Sequence, residues 1–155
     1  MSLLKSGHSV ILLHNDLFVK VVISTEYEET LEEAAQREAS FQMRARSLID
    51  SLKSPVKVSV PNVHGVIKNV LVIEKVAGIS VERLIRNNIE RARELVPSLD
   101  LAVKELGRNK IYHNDLYHDN IMWDEKSQTI WITDFGMAQD YHGWDCDDPL
   151  SEFTF

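Results

Sequence analysis

The residue types best suited to chemistry fall between His113 and Gly136. The stretch opens with His113-Asn114-Asp115-Leu116-Tyr117-His118-Asp119-Asn120. An apolar run Ile121-Met122-Trp123 follows, then a polar link Glu125-Lys126-Ser127-Gln128, a second apolar run Ile130-Trp131-Ile132, and Asp134-Phe135-Gly136. Two β-branched or aromatic runs joined by a short polar link predict a hairpin. An antiparallel hairpin brings its ends together, so Asn120 and Asp134 are expected to be neighbours in space, with Asp115 just outside them. Two oxygen ligands beside a further carboxylate suit a hard cation carrying polyphosphate. Mg²⁺ takes one or two protein oxygens and fills its remaining positions with water and phosphate. The carboxylate held back from the metal can take the proton from an attacking hydroxyl.

His-x-Asp-x-x-x-x-Asn followed by Asp-Phe-Gly resembles the catalytic loop and metal-binding segment of protein kinases and their relatives. The resemblance implies ATP and Mg²⁺ as cofactors, Asp115 as the catalytic aspartate, and Asn120 and Asp134 as metal ligands. It gives His113 a structural part, steadying Asp134 and the loop. Tyr117 stands where typical serine/threonine kinases carry a lysine that neutralises the transferred phosphate. That electrostatic task then falls to Lys20, the metal and His118.

These groups need a scaffold to position them. Val10 to Leu13 and Leu17 to Ile23 read as strands separated by the turn cluster His14-Asn15-Asp16. Lys20 interrupts the second strand, and the pattern allows either an outward lysine or a buried one with a purpose. Thr25 with Glu28 has capping-box spacing and predicts a long helix from about Glu26 to Leu52. Its apolar stripe runs through Leu31, Ala34, Ala35, Phe41, Ala45, Leu48, Ile49 and Leu52. Glu38 falls on that stripe, and a carboxylate on a buried face requires a cation. Lys20 is the expected partner, a pairing similar to the strand lysine and helix glutamate of kinases. Arg37-Glu38-Ala39 resembles the atypical RIO branch more than typical protein kinases. Ser6-Gly7-His8-Ser9 occupies the place of the glycine-rich loop, where Gly7 lets the backbone approach phosphate and the hydroxyls of Ser6 and Ser9 assist.

Strands are predicted at Val56 to Val60, Val63 to Ile67 and Val70 to Glu74. Glu74-Lys75-Val76-Ala77-Gly78 then resembles the kinase hinge, which assigns the adenine edge to the backbone carbonyl of Glu74 and to both backbone groups of Val76. A helix is expected at Ser80 to Ile85 and another from Ile89 to Leu106. Pro97 should kink the second or start a new segment, and Gly107 should stop it.

With 155 residues the chain is long enough for one domain and too short for two of usual size. The resemblance implies an α+β, two-lobed protein-kinase-like fold with a small antiparallel sheet plus one helix in the first lobe. The first lobe spans residues 1–75, the hinge lies near 74–78, and a strongly reduced helical lobe occupies 79–155. Hydrophobic residues make up 44% and charged residues 26%, a globular balance. A net charge of −7 argues against a nucleic-acid-coating surface. No apolar run reaches the length of a membrane span, and Met1 to Lys5 does not read as a secretory signal. One cysteine, Cys146, excludes an internal disulfide and leaves the redox compartment open, with a reducing cytosol the milder assumption, or a host cytosol for a secreted effector.

After Gly136 the chain has no room for the substrate-holding helices of typical kinases. Either it is a fragment, or it is a minimal kinase whose substrate brings its own docking surface, similar in economy to effector kinases secreted by bacterial pathogens. Trp144 and the acidic residues near it form either a recognition patch or a solvated tail. The expected activity is a serine/threonine protein kinase. A small-molecule phosphotransferase for antibiotics or sugars and a nucleotide-binding pseudokinase are the alternatives.

Overall fold

In the computed structural model, which describes residues 3–143, the chain folds into two sheets bridged by a long helix. It opens with β1 (Leu3–Ser6), β2 (Ser9–His14) and β3 (Leu17–Val22). Asn15 turns the β2–β3 hairpin at φ +53°, a left-handed conformation that asparagine tolerates better than most residues. Along β3, Lys20 and Val22 are buried while Val19 and Val21 are only partly covered, so the pleat aims Lys20 inward.

Helix α1 spans Leu31–Asp50, a later start than the expected Glu26 and an earlier end than Leu52. The capping box is Thr30 with Glu33, not Thr25 with Glu28: Thr30 Oγ1 accepts the Glu33 N–H at 3.1 Å, and the Thr30 N–H donates to Glu33 Oε2 at 3.3 Å. Thr25 instead closes a turn, accepting the Tyr27 N–H and donating to Glu29. Both positions read Thr-x-x-Glu, so spacing alone does not choose between them. The apolar stripe chooses, because a turn of helix made of Glu26, Tyr27, Glu28 and Glu29 buries too little to offset its ordering entropy.

β4 (Lys57–Ser59), β5 (Val63–Ile67) and β6 (Val70–Glu74) follow where alternation predicts strands. The five-stranded sheet has the order β1-β2-β3-β6-β5 and is antiparallel throughout. β4 does not join it. The chain continues through β7 (Ile79–Ser80), α2 (Val81–Asn87), capped by Ser80, and α3 (Ile89–Arg108). Pro97 starts no new segment, since the apolar face of α3 is buried on both sides of it, by Ala92 and Leu95 before and Leu99 and Ala102 after. That burial outweighs the roughly 3 kcal/mol an interior proline costs. Gly107 likewise lies inside the helix, and Asn109 forms the cap.

One 3-10 turn, His118–Asn120, leads into the predicted hairpin, β8 (Ile121–Asp124) and β9 (Thr129–Ile132). β4 lies parallel against β9, giving a second sheet of order β4-β9-β8-β7. Sheet membership therefore does not follow the division of the chain near residues 74–78. An upper core gathers Val22, Ala34, Ala35, Ala39, Leu71 and Ile73; a lower core gathers the α3 face, Ile121, Trp123, Ile130, Ile132 and Phe135. Helix α1 contributes to both, since Ala45 and Ile49 belong to the lower cluster. The architecture is the expected α+β, two-lobed kinase-like fold. Trp144, its acidic neighbours and Cys146 lie outside the described residues, as does the side chain of Ser6.

Candidate active site

Lys20 and Glu38 meet because β3 and α1 turn their buried faces toward each other. Glu38 follows Ala34 and Ala35 by four and three positions, which places it on the same stripe. Both charged residues are almost fully enclosed, at 4% and 2% exposure. Lys20 Nζ donates to Glu38 Oε1 at 2.5 Å and to Asp134 Oδ1 at 2.9 Å. The inward reading of Lys20 is the observed one. Burial pulls the Lys20 pKa down, but the attraction of Glu38 and then of Asp134 outweighs it, so the amine is held above its usual range and stays charged.

Asp134 sits at φ +59°, a strained conformation for a non-glycine residue that points to a constrained functional position. Its Oδ1 accepts from both Lys20 and the Gly136 N–H, which leaves Oδ2 for a cation. Burial would raise its carboxyl, but Lys20 reverses this and keeps it below the ordinary carboxylate range. Gly136 is tightly placed, since a Cβ there would lie 3.1 Å from Asp134 Oδ1 and 3.6 Å from Glu38 Oε2.

The hairpin brings its ends together as expected. The Thr133 N–H and hydroxyl both donate to the Asn120 carbonyl at 2.9 Å, so Asn120 pairs with the residue next to Asp134. Asn120 Nδ2 donates to the Asp115 carbonyl at 2.7 Å and to Asp115 Oδ2 at 3.3 Å, which ties the base candidate to the amide and leaves the amide oxygen as the group with ligand chemistry. The Asp115 carboxyl is pushed up to about 6, by burial first and then by Asp134 and Asp119.

His113 is buried under the loop. Its Nε2 donates to the Thr133 carbonyl at 2.7 Å, and its Nδ1 accepts the Asp115 N–H at 3.2 Å. Both nitrogens are thus satisfied in one neutral tautomer, and the ring packs edge-on to Phe135. Burial holds its pKa below the usual imidazole value. His113 therefore ties the backbone of Asp115 to that of Thr133.

A cavity of about 250 Å³ is lined by Gly7, Ser9, Lys20, Glu38, Asp115, Asp134 and Gly136 among others. It falls below the roughly 300–1,000 Å³ of a whole-ligand pocket, a size suited to a polyphosphate tail and metal with the rest of a nucleotide outside. Glu74 and Val76 do not line it. The Glu74 N–H donates to the Asn62 carbonyl, its carboxylate takes Arg46 and the Asn62 N–H, and Val76 is buried.

Among the described residues no group of three or more His, Cys, Asp or Glu side chains is arranged to hold a metal alone. Asn120 and Asp134 supply two hard oxygen donors, which fits an ion whose other positions belong to phosphate and water. Lys20 pairs with Glu38 and Asp134, and the cavity is lined by the carboxylates of Glu26, Glu38, Asp115 and Asp134 against Lys20 and Arg37, an acidic excess that a divalent cation would relieve.

Sequence reasoning missed what fixes the segment after Phe135. Arg37 Nη1 donates to the Gly136 and Ala138 carbonyls at 2.9 and 3.0 Å, and Tyr27 Oη donates to the intervening Met137 carbonyl at 3.0 Å. Glu29 grips the other guanidinium edge, and Arg37 stacks 4.7 Å over Tyr27. Burial would raise the Glu29 carboxyl, but hydrogen bonds from Arg37 and Thr25 hold it below its ordinary range. Asn114, at φ +64°, donates to the Met137 and Tyr141 carbonyls and accepts the Gly143 N–H. The adjacency of Arg37 to Glu38 was the available signal; its targets are backbone atoms about a hundred positions away, which no side-chain pattern marks.

The fold has known counterparts. The Cydia pomonella granulovirus kinase PK-1 superposes with a TM-score of 0.60 at 17% identity, over 90% of this chain and 53% of that one. WbdD superposes with a TM-score of 0.57 at 18% identity, over 94% of this chain and 34% of that one. The chain thus spans about half the length of the first and a third of the second. No curated protein matches it significantly. The ABC1 atypical kinase-like domain matches residues 5–148, nearly the whole chain, with Lys20, Glu38, Asp115, Asn120 and Asp134 all inside the match. The chain belongs to the ABC1 atypical kinase-like family.

Proposed function

We propose that the chain is an ATP- and Mg²⁺-dependent phosphotransferase acting on a hydroxyl of a protein, of serine/threonine type. The observation that carries this reading is the Lys20 amine between Glu38 and Asp134, in the cavity that Asp115 also lines. Lys20 binds phosphate oxygens, and Glu38 keeps it charged and in place. Asn120 and Asp134 hold Mg²⁺, which supplies charge neutralisation to the phosphates when bound. Asp115 orients the acceptor hydroxyl and takes its proton. With a pKa near 6 it is a stronger base than an ordinary aspartate, yet mostly ionised at neutral pH. Gly7 and Ser9 line the phosphate end, and the Glu74 carbonyl with both backbone groups of Val76 takes the adenine edge.

The open side of Asp115 supports a protein acceptor. Tyr117, two positions on, is 44% exposed, so the loop beside the base presents an aromatic surface to an acceptor. Incubation with labelled ATP and Mg²⁺ should transfer label to protein, with loss on chelation and in Asp134→Ala. Equal labelling of parent and variant would end the proposal. Nucleotide stabilisation without any transfer would instead select the non-catalytic reading.

A further inference from the structure

His8 belongs to the shortened glycine loop, and its side chain has a task that the activity above does not use. Its Nδ1 lies 2.8 Å from Ser24 Oγ, and its Nε2 lies 3.2 Å from Glu26 Oε1. The Glu26 carboxylate only accepts, so of the two neutral tautomers it favours the one with the proton on Nε2. In that tautomer Nδ1 is a lone pair that accepts from the Ser24 hydroxyl. A hydroxyl aimed at a base that a third group orients is the arrangement of an activated nucleophile. The cluster is not needed to pin the loop, because the N–H groups of Ile23 and Ser24 already donate to the His8 carbonyl at 2.9 and 3.3 Å. His8, Ser24 and Glu26 line the same cavity as Lys20 and Asp134, and Ser24 is exposed.

We propose that Ser24 is a phosphate acceptor in cis, with His8 as its base and Glu26 as the group that orients His8. The inference rests on the phosphotransferase reading and adds the chain itself as a substrate. Ser24 Oγ attacks the γ-phosphorus of ATP, and the Oγ–P bond forms. The bond from that phosphorus to the β,γ-bridging oxygen breaks, and its electron pair leaves with ADP. The Oγ proton passes to His8 Nδ1, and the resulting imidazolium is paired with Glu26 until it returns the proton to water. The product places a phosphoserine at the cavity lined by Lys20, where it competes with the next nucleotide.

The test is peptide mapping by mass spectrometry of the full chain after incubation with Mg·ATP, beside a thermal shift with the same nucleotide. One phosphate is expected at Ser24, at a rate independent of protein concentration. His8→Gln should slow it about 100-fold or more and Glu26→Gln about tenfold, while Ser24→Thr still accepts. Stabilisation by nucleotide with phosphate only elsewhere, on this chain or on an added protein, overturns this inference and leaves the phosphotransferase reading standing. An unchanged rate in His8→Gln also overturns it. Neither stabilisation nor transfer would sink both.

Discussion

Lys20→Met removes the one cation shared by Glu38 and Asp134 while keeping an apolar stem on β3. The Glu38 side chain is 3% exposed and cannot turn to water, so the variant leaves an unpaired carboxyl in the core. Removing one partner of such a pair costs about 3–5 kcal/mol. For a chain of this size each kcal/mol shifts Tm by roughly 2–4 °C, so a fall of about 6–20 °C is expected. Lys20→Met/Glu38→Met should recover most of it, because a buried pair replaced by apolar residues is often neutral or better. The remaining Asp134 side chain is 27% exposed and keeps some hydration.

Acid adds a second readout. Burial already holds the Glu38 carboxyl above its unfolded 4.5 in the parent, and loss of the opposing Lys20 charge raises it further in the single variant, so there the native state holds a proton that the unfolded chain lacks. Its stability therefore falls as pH rises through that window, and the gap to the parent narrows on acidification. The parent behaves oppositely at Asp134: its depressed pKa contributes stability that is lost as pH falls below 3.8. Urea unfolding of parent, single and double variants at neutral and mildly acid pH measures all of this. A single variant within about 1 kcal/mol of the parent at neutral pH would refute the argument, since a core charge can be left unpaired so cheaply only if it is not in the core.

Three further outcomes follow from the same geometry. Parent stability should decline as pH falls below 6.5, because His113 is held neutral in the fold and charges when unfolded; His113→Asn should flatten that limb in pH-resolved unfolding. Arg37→Met should cost about 1.5–3 kcal/mol through lost charged hydrogen bonds. It should also speed hydrogen exchange at the Gln139 amide, now bonded to the Tyr112 carbonyl, with little change at the β2–β3 pairs. Gly78→Ala should destabilise by at least about 2 kcal/mol in chemical denaturation, since Gly78 sits at φ +110° and a Cβ there would lie 2.2 Å from the Trp123 carbonyl oxygen.

The placement of the candidate site was legible where it depends on residue type at fixed spacing along one element. His113, Asp115, Asn120 and Asp134 flank one hairpin, and the hairpin declares itself by two apolar runs and a polar link. Lys20 and Glu38 were legible for a different reason, as charges set on stripes that must be buried. What stayed hidden were choices between equal local signals and bonds to backbone. Thr25 and Thr30 carry the same capping signature, and only packing favours the second. Pro97 left a new segment and a kink equally open, and the burial on either side of it excludes the new segment. β4 alternates like its neighbours, and nothing in its residues names β9 as its partner, since a parallel pairing across seventy positions leaves no turn signature. The tethers made by Arg37, Tyr27 and Asn114 end on carbonyl oxygens, which every residue has.

Because α1 is rooted in both cores, it is a lever with one arm already clamped. Swinging Glu38 away from Lys20 would drag Ala45 and Ile49 out of the lower cluster and leave voids costing a few kcal/mol. A chain built this way has little freedom to idle by tilting that helix. Control of the site has to act outside the two cores, on the short loop around His8 or on the carbonyls that Arg37 keeps in line.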